Sequence, residues 1–126
     1  MEKLRERLPG VEVVSAGSRD AANLATFHVA VTPVAAVLAQ TGCVVITGRT
    51  ASELAVSLLP RIHFCVATAG DLLPDLAAYL ARPGFDPALT HVVIGGPSRT
   101  ADIEKQIVYG IHGPWSAMLF HLANEE

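Results

Sequence analysis

The sequence has few of the residues that mark several common protein classes. Only two of its 126 residues are cysteines, Cys43 and Cys65. Small secreted proteins held together by disulfides carry more cysteines, and an ordinary iron–sulfur cluster needs four thiolates, so this chain by itself fits neither class. It has 9 basic and 12 acidic residues, a formal net charge of −3. This balance provides no basic footprint for nucleic acid or for an anionic membrane surface.

No stretch has the pattern of a targeting or membrane segment. Residues Met1–Leu8 carry charges of both signs and lack the apolar region of a signal peptide. No apolar run approaches the ~20 residues that a membrane-spanning helix needs. We therefore expect a cytoplasmic protein with no membrane span, and a single domain over residues 1–126.

Hydrophobic residues are abundant: they make up 51% of the chain, whereas charged residues make up only 17%. This share excludes an intrinsically disordered chain. It is also high for a domain of this size with a free surface. We therefore expect a sheet that is buried on both faces, or an apolar patch that a partner covers.

Short apolar runs alternate along the chain with helical patterns. The predicted strands are residues 11–15, 27–31, 43–47, 61–67, 91–94 and 116–122, and the predicted helices are 2–8, 34–39, 54–59, 71–81 and 101–109. The inner strands are unbroken apolar runs, which is typical of an α/β fold with a mainly parallel sheet covered by helices on both faces.

The inner strands also predict where a ligand binds. We expect strands 43–47, 62–67 and 92–94 to lie side by side, parallel and buried. The loops that follow Thr47 and Ile94, and the loop after Thr68 between them, then gather at the carboxyl ends of the strands, where α/β proteins bind ligands.

The loop after the strand at 91–94 has the composition of an anion site. Gly95 and Gly96 allow a sharp turn and a close approach to a ligand. Ser98 and Thr100 offer hydroxyls, and Arg99 offers a planar donor fork for a carboxylate or phosphate. The amides at the start of the predicted helix would add positive potential. An ordinary strand-to-helix turn with a hydroxyl cap and a surface arginine explains the same residues.

Two further positions could take part in such a site. His112 lies in a predicted loop and could act as a general acid or base near neutral pH, or could fix the turn by donating to a carbonyl. Thr41 lies just before a strand and could contact a substrate, although a polar residue beside a helix-ending glycine needs no function.

A metal site is not expected. His63 and Cys65 fall on one face of a predicted strand, and Cys43 lies on another strand. A buried free cysteine beside a hydrogen-bonded histidine is much commoner than a metal site with these ligands. We therefore predict two free thiols, with no cofactor bound by this chain itself.

Two pairs of motifs resemble a known family. The string GPSRTADIE at Gly96–Glu104, followed by VYGIHGP at Val108–Pro114, resembles the C-terminal signature of the LUD domain family, of the lactate utilization protein C type. AQTGCVV at Ala39–Val45, followed by SLLPRIH at Ser57–His63, resembles the middle signature of that family. The family usually has glutamate where this chain has Gln40, so a carboxylate role is not carried over to that position.

The resemblance implies a fold and a biological role. The implied fold is an α/β fold like that of the sugar-phosphate isomerases and CoA transferases. The implied role is in a system that oxidises L-lactate to pyruvate, in which partner proteins carry the iron–sulfur clusters. The family's longer N-terminal helical region is missing, so we expect a short or N-terminally truncated member.

Three functions are compatible with these observations. The first is a subunit of a lactate-oxidation complex that binds a small anion or a partner. The second is a free-standing enzyme, similar to a CoA transferase or an isomerase, for an acyl or sugar-phosphate substrate. The third is a non-catalytic assembly module whose exposed apolar face contacts another chain. The chain could also form a homo-oligomer. Fold alone does not decide among them.

Overall fold

The computed structural model describes residues 21–97, 99–101, 107–109 and 113–122. The predicted helix at 2–8 and the predicted strand at 11–15 lie outside these ranges. Within them the helices are α1 (Ala21–Leu24), α2 (Ala51–Ala55) and α3 (Leu76–Ala81). The strands are β1 (Val29–Pro33), β2 (Ala36–Leu38), β3 (Cys43–Gly48), β4 (Ile62–Thr68), β5 (Leu72–Leu73), β6 (Thr90–Ile94), β7 (Arg99–Ala101), β8 (Ile107–Tyr109) and β9 (Ser116–Leu122).

The strands form two sheets and a separate hairpin. One sheet has three strands in the order β1-β4-β9, and both of its pairings are parallel. The other has four strands in the order β5-β2-β3-β6, with a parallel β2–β5 pair and antiparallel β2–β3 and β3–β6 pairs. The hairpin joins β7 and β8. The predicted α/β class is confirmed.

The helix starts follow their capping residues. The helix predicted at 54–59 begins three residues earlier, as α2, because Thr50 caps it: the Thr50 Oγ1 accepts a hydrogen bond from the Glu53 amide at 3.3 Å. The α3 helix begins at Leu76, five residues later than expected, because the Asp75 carboxylate caps it by accepting from the Ala78 amide at 2.8 Å. The two leucines before it form β5 instead.

The helix predicted at 34–39 is wrong. Its middle, Ala36–Leu38, is β2, and all three of its residues are buried. β2 lies between β3 and β5, so its backbone is paired on both sides. A Thr-Pro start signal predicts a helix locally, but pairing and burial on both faces favour the extended chain.

The prediction of a helix at 101–109 is also wrong, because both of its described ends are strands. Ala101 ends β7, and Ile107–Tyr109 is β8, with Arg99 opposite Tyr109 in the register. The β-branched and aromatic run Ile-Val-Tyr has strand propensity, which the pairing with β7 reinforces. The residues between the two strands lie outside the described part of the chain.

The three inner strands are not parallel neighbours. β3 and β6 pair antiparallel, and β4 belongs to the other sheet. Consequently the loop after Thr47 lies at the opposite end of the β3–β6 pair from the loop after Ile94, and the expected crevice between these two loops does not form. An unbroken apolar run indicates burial on both faces, but it does not specify the direction of a strand.

The four-stranded sheet is the middle layer of the molecule. Its side facing β4 packs in a cluster of Val34, Val37, Val44, Cys65 and Ala67. Its other side packs with α3 in a cluster of Ala36, Leu38, Val45 and Tyr79. Each fully buried Val or Leu side chain contributes roughly 1.5–3 kcal/mol to folding. Val44 and Val45 therefore anchor β3 in the core. β6 pairs with β3, and its partly buried Ile94 packs against the first cluster, so the two strands together position the loops described next.

Candidate functional site

Two loops meet at one end of the β3–β6 pair. Val44 lies opposite Ile94 in the antiparallel register, so the residue before Val44 faces the residue after Ile94. A Cβ placed on Gly95 would lie 3.5 Å from the Cys43 Sγ. The turn before β3 and the loop after β6 are therefore adjacent. We call this region, formed by Thr41, Gly42, Gly95 and Gly96, the glycine edge.

A tight turn presents Thr41 at the glycine edge. The amides of Thr41 and Gly42 donate to the Leu38 carbonyl at 3.2 and 2.8 Å, and Gly42 has a φ of 70°. That φ is in the left-handed region, where glycine is favoured. The Thr41 Oγ1 accepts a hydrogen bond from the Cys43 amide at 3.3 Å. This contact orients the exposed hydroxyl and leaves its proton available for a ligand.

The two glycines keep the other side of the edge open. Gly95 and Gly96 are both exposed. Gly96 has a φ of 129°, a conformation that residues with a Cβ rarely adopt, and a Cβ built there would meet nothing within 4 Å. A ligand can therefore approach this backbone closely.

The chain continues from the glycine edge as a strand. Because Arg99 and Thr100 begin β7, the predicted helix N-terminus and its positive potential do not exist at this point. The charge that could attract an anion is therefore the arginine itself and not a helix dipole. Ser98 and His112 lie outside the described residues. The segment that precedes His112 in the sequence, Ile107–Tyr109, is strand β8 and not the end of a helix as predicted.

Comparisons with known proteins show the family to which the chain belongs. The family model of the LUD domain matches residues 12–118. The chain belongs to the LUD domain family. This LUD domain is 30% identical over 105 residues to a lactate utilization protein C of Geobacillus kaustophilus, and the match covers 78% of this chain and 42% of that protein.

A second relative and a solved structure are also similar to this chain. A lactate utilization protein C of Anoxybacillus flavithermus is 32% identical over 82 residues, which cover 64% of this chain and 37% of that protein. A crystal structure of a DUF162 family protein from Deinococcus radiodurans superposes with a TM-score of 0.53 at 18% identity, covering 84% of this chain and 59% of that chain. The LUD domain thus spans less than half the length of the curated relatives that it matches, and the structural likeness supports its fold.

Away from the glycine edge, the predicted His63–Cys65 pair is buried in the LUD domain. His63 is fully buried, its Nε2 is 2.8 Å from the Thr32 Oγ1, and its ring nitrogens are 3.7 Å from the Cys65 Sγ. Burial lowers the pKa of His63 and raises the pKa of the Cys65 thiol. Both groups are therefore neutral near pH 7, and the thiol is a poor nucleophile there.

The two cysteines of the LUD domain do not meet. Cys65 packs in the cluster between the two sheets, whereas Cys43 packs on the other side of the four-stranded sheet. Both are free thiols, as predicted. Among the residues that the structure describes, no three His, Cys, Asp or Glu side chains come together to hold a metal ion. No helix in this part of the chain is long and apolar enough to span a membrane.

A cluster of polar and aromatic side chains joins α3 to β6. The His91 Nε2 lies 2.9 Å from the Asp86 carbonyl, and because a carbonyl only accepts, this nitrogen carries the proton. The His91 Nδ1 therefore accepts from the Tyr79 hydroxyl at 2.6 Å. Phe85 stacks on the His91 ring at 4.7 Å, and the Arg82 guanidinium lies 4.5 Å from the centre of the Tyr79 ring.

No local pattern in the sequence marks this cluster. Tyr79 and His91 are 12 residues apart on different elements, and only the packing of α3 against the four-stranded sheet joins them. The Tyr79–Arg82 spacing of three residues is the one available signal, and it is common on helices. The cluster links α3 to the strand that leads into Gly95.

Proposed function

We propose that this LUD domain acts in lactate utilization and binds the carboxylate of lactate or pyruvate at the glycine edge. The observation that carries this proposal is the adjacency of the Thr41 turn and the Gly95–Gly96 loop, which two separate signatures of the sequence supply. Thr41 contributes a hydroxyl donor, the glycines allow close approach, and Arg99 supplies the positive charge two residues after Pro97. Ser98, Thr100 and His112 complete the proposed set of contacts, His112 as an acid or base.

The chain is proposed to work with partner proteins in oxidising L-lactate to pyruvate. This reaction removes two electrons and two protons from the substrate, so it needs an electron acceptor. Two cysteines on opposite sides of a sheet do not fit an iron–sulfur cluster, which ordinarily takes four thiolates. We therefore assign the clusters to partner proteins and anion binding to this chain.

A calorimetric titration of the 126-residue chain with L-lactate and with pyruvate tests the proposal. Hydrogen bonds that involve a charged group are worth about 1.5–3 kcal/mol. Arg99→Ala should therefore weaken binding by about ten- to a hundredfold. Arg99→Lys keeps the charge but loses the planar fork, so it should fall between the wild type and Arg99→Ala.

A matched control lies at the other end of β3. Arg49 follows Gly48, its side chain is 70% exposed, and it contacts Asp86 at 3.6 Å. Arg49→Ala should leave anion binding unchanged. If Arg99→Ala lowers the Tm and spares binding, or if both substitutions weaken binding equally, the loop after β6 has no specific role in anion binding.

A further inference from the structure

A row of apolar side chains crosses the four-stranded sheet and stops at the glycine edge. The strand registers pair Leu73 with Leu38 and Leu38 with Cys43, and they place Cys43 opposite Gly95. Opposite residues of neighbouring strands point to the same face of a sheet. The row of Leu73, Leu38 and Cys43 therefore continues to Gly95, where no side chain completes it.

Neither the backbone nor the packing of the described residues requires glycine at position 95. Unlike Gly42 and Gly96, Gly95 does not have a positive φ. A Cβ built on Gly95 would lie 3.5 Å from the Cys43 Sγ, which is an ordinary van der Waals contact. Alanine would therefore fit at this position in the folded chain. The gap in the row is a feature that folding does not demand, and it lies in the loop that we propose to bind an anion.

The sulfur of Cys43 forms the wall of this gap. The Cys43 side chain packs against the buried cluster that contains Leu38 and Tyr79, and the residue as a whole is half-buried. A free cysteine in such surroundings behaves as a small apolar group. The gap therefore presents an apolar surface to a group as small as a methyl.

The same cysteine joins this apolar surface to the polar side of the glycine edge. The Cys43 amide donates to the Thr41 Oγ1 at 3.3 Å, which fixes the Thr41 hydroxyl beside the start of β3. A ligand at the glycine edge thus meets a hydroxyl donor and an apolar sulfur close together. Lactate and pyruvate have matching chemistry, a carboxylate with a methyl group on the carbon next to it. Glycolate has the carboxylate and the hydroxyl but no methyl group.

We propose that Cys43 and Gly95 determine the specificity of the glycine edge for a 2-hydroxy or 2-oxo acid that carries a methyl group, with the methyl seated in the gap against the Cys43 sulfur. The inference rests on the proposed carboxylate site. Burial of a methyl group corresponds to about a fourfold change in affinity. The site should therefore prefer L-lactate to glycolate by about fourfold, a preference that contacts with the carboxylate alone would not produce.

Calorimetric titrations of the 126-residue chain with L-lactate and with glycolate test the inference. The measured quantity is the ratio of the two dissociation constants, because a partial loss of folded protein lowers both affinities alike. The wild type should give a ratio of about four. Gly95→Ala should bring the ratio to about one, because the added methyl fills the gap, and its Tm should be no lower than that of the wild type. The matched control is Gly70→Ala, which adds the same methyl where no described atom lies within 4 Å and should keep the wild-type ratio.

The outcomes separate this inference from the proposed function. If the wild type binds both acids equally, or if Gly95→Ala keeps the preference for L-lactate, the carboxylate site stands and the role of Cys43 and Gly95 is refuted. If the wild type binds neither acid, the proposed function fails and this inference fails with it.

The reactivity of the Cys43 thiol gives a second measurement that needs no variant. Cys65 is 2% exposed, so the reaction of the native chain with a disulfide reagent reports on Cys43. Saturating L-lactate should slow this reaction severalfold because its methyl group covers the Sγ, and saturating glycolate should slow it less. Equal protection by the two acids, or no protection by either, overturns the inference.

Discussion

Removing the Tyr79 hydroxyl should measure how strongly α3 holds β6. Tyr79 is 1% exposed, and its hydroxyl donates to the His91 Nδ1 at 2.6 Å. Burial raises the pKa of Tyr79, although the nearby Arg82 charge lowers it in part. The hydroxyl therefore keeps its proton at neutral pH and can act as the donor. Tyr79→Phe removes this donor and preserves the ring, including its contacts with Phe85 and Arg82.

The expected loss follows from the burial of the pair. A net hydrogen bond contributes about 0.5–1.5 kcal/mol, and a buried acceptor left without a partner costs about 1–3 kcal/mol. Since His91 is only half-buried, water can partly replace the lost donor. We expect Tyr79→Phe to lower the free energy of unfolding by about 1–2 kcal/mol and the Tm by about 3–8 °C.

Urea unfolding followed by circular dichroism checks this prediction. The exposed neighbour provides the control, because Leu80→Ala should change the free energy of unfolding by no more than about 0.5 kcal/mol. In a His91→Phe background the Tyr79 hydroxyl has lost its acceptor, so Tyr79→Phe should then cost nothing further. Equal costs of Tyr79→Phe with and without His91 would refute the account of this hydrogen bond.

The other predictions concern His63 and Cys65, which are buried on β4, and the half-buried Cys43 on β3. Burial lowers the pKa of His63 in the folded chain below its unfolded value of about 6.5, so below pH ~6.5 the unfolded chain binds more protons than the folded chain. The free energy of unfolding should therefore be retained above pH ~6.5 and should fall below it, by at most about 1.4 kcal/mol per pH unit. His63→Gln should flatten this part of the profile in pH-dependent urea unfolding, and an unchanged slope would contradict the assignment. In a thiol titration with a disulfide reagent, half-buried Cys43 should react in the native state, whereas Cys65 should react only after unfolding because it is 2% exposed and its pKa is raised. Fast native reaction of both thiols in single-cysteine variants would refute the buried position of Cys65.

The sequence predicts the strands more accurately than their partners. β3, β4 and β9 lie within one residue of their predicted positions, because unbroken apolar runs are a local signal of buried strands. Direction and neighbours depend on contacts far apart in the chain, so the parallel arrangement expected for β3 and β6 is wrong. The same limit explains the helix expected over Ala36–Leu38, where pairing on both sides overrides the local helix signal.

The candidate site shows the same division. The sequence predicts both Thr41 and Gly95 as candidate site residues, since turn glycines and hydroxyls beside strands are local features. Their adjacency depends on the antiparallel register of β3 with β6, which no local pattern encodes. The helix dipole expected after the glycines is not formed there, because Arg99 begins strand β7.

Nuclear magnetic resonance of the ¹⁵N-labelled chain during a titration with L-lactate tests the central claim most directly. If the glycine edge binds the carboxylate, the amide signals of Thr41, Gly42, Gly95 and Gly96 should shift together along one saturable curve. The signals of Ala51–Ala55, which follow the opposite end of β3, should stay in place. Shifts confined to that opposite end, or no saturable shift at the glycine edge, would contradict the account.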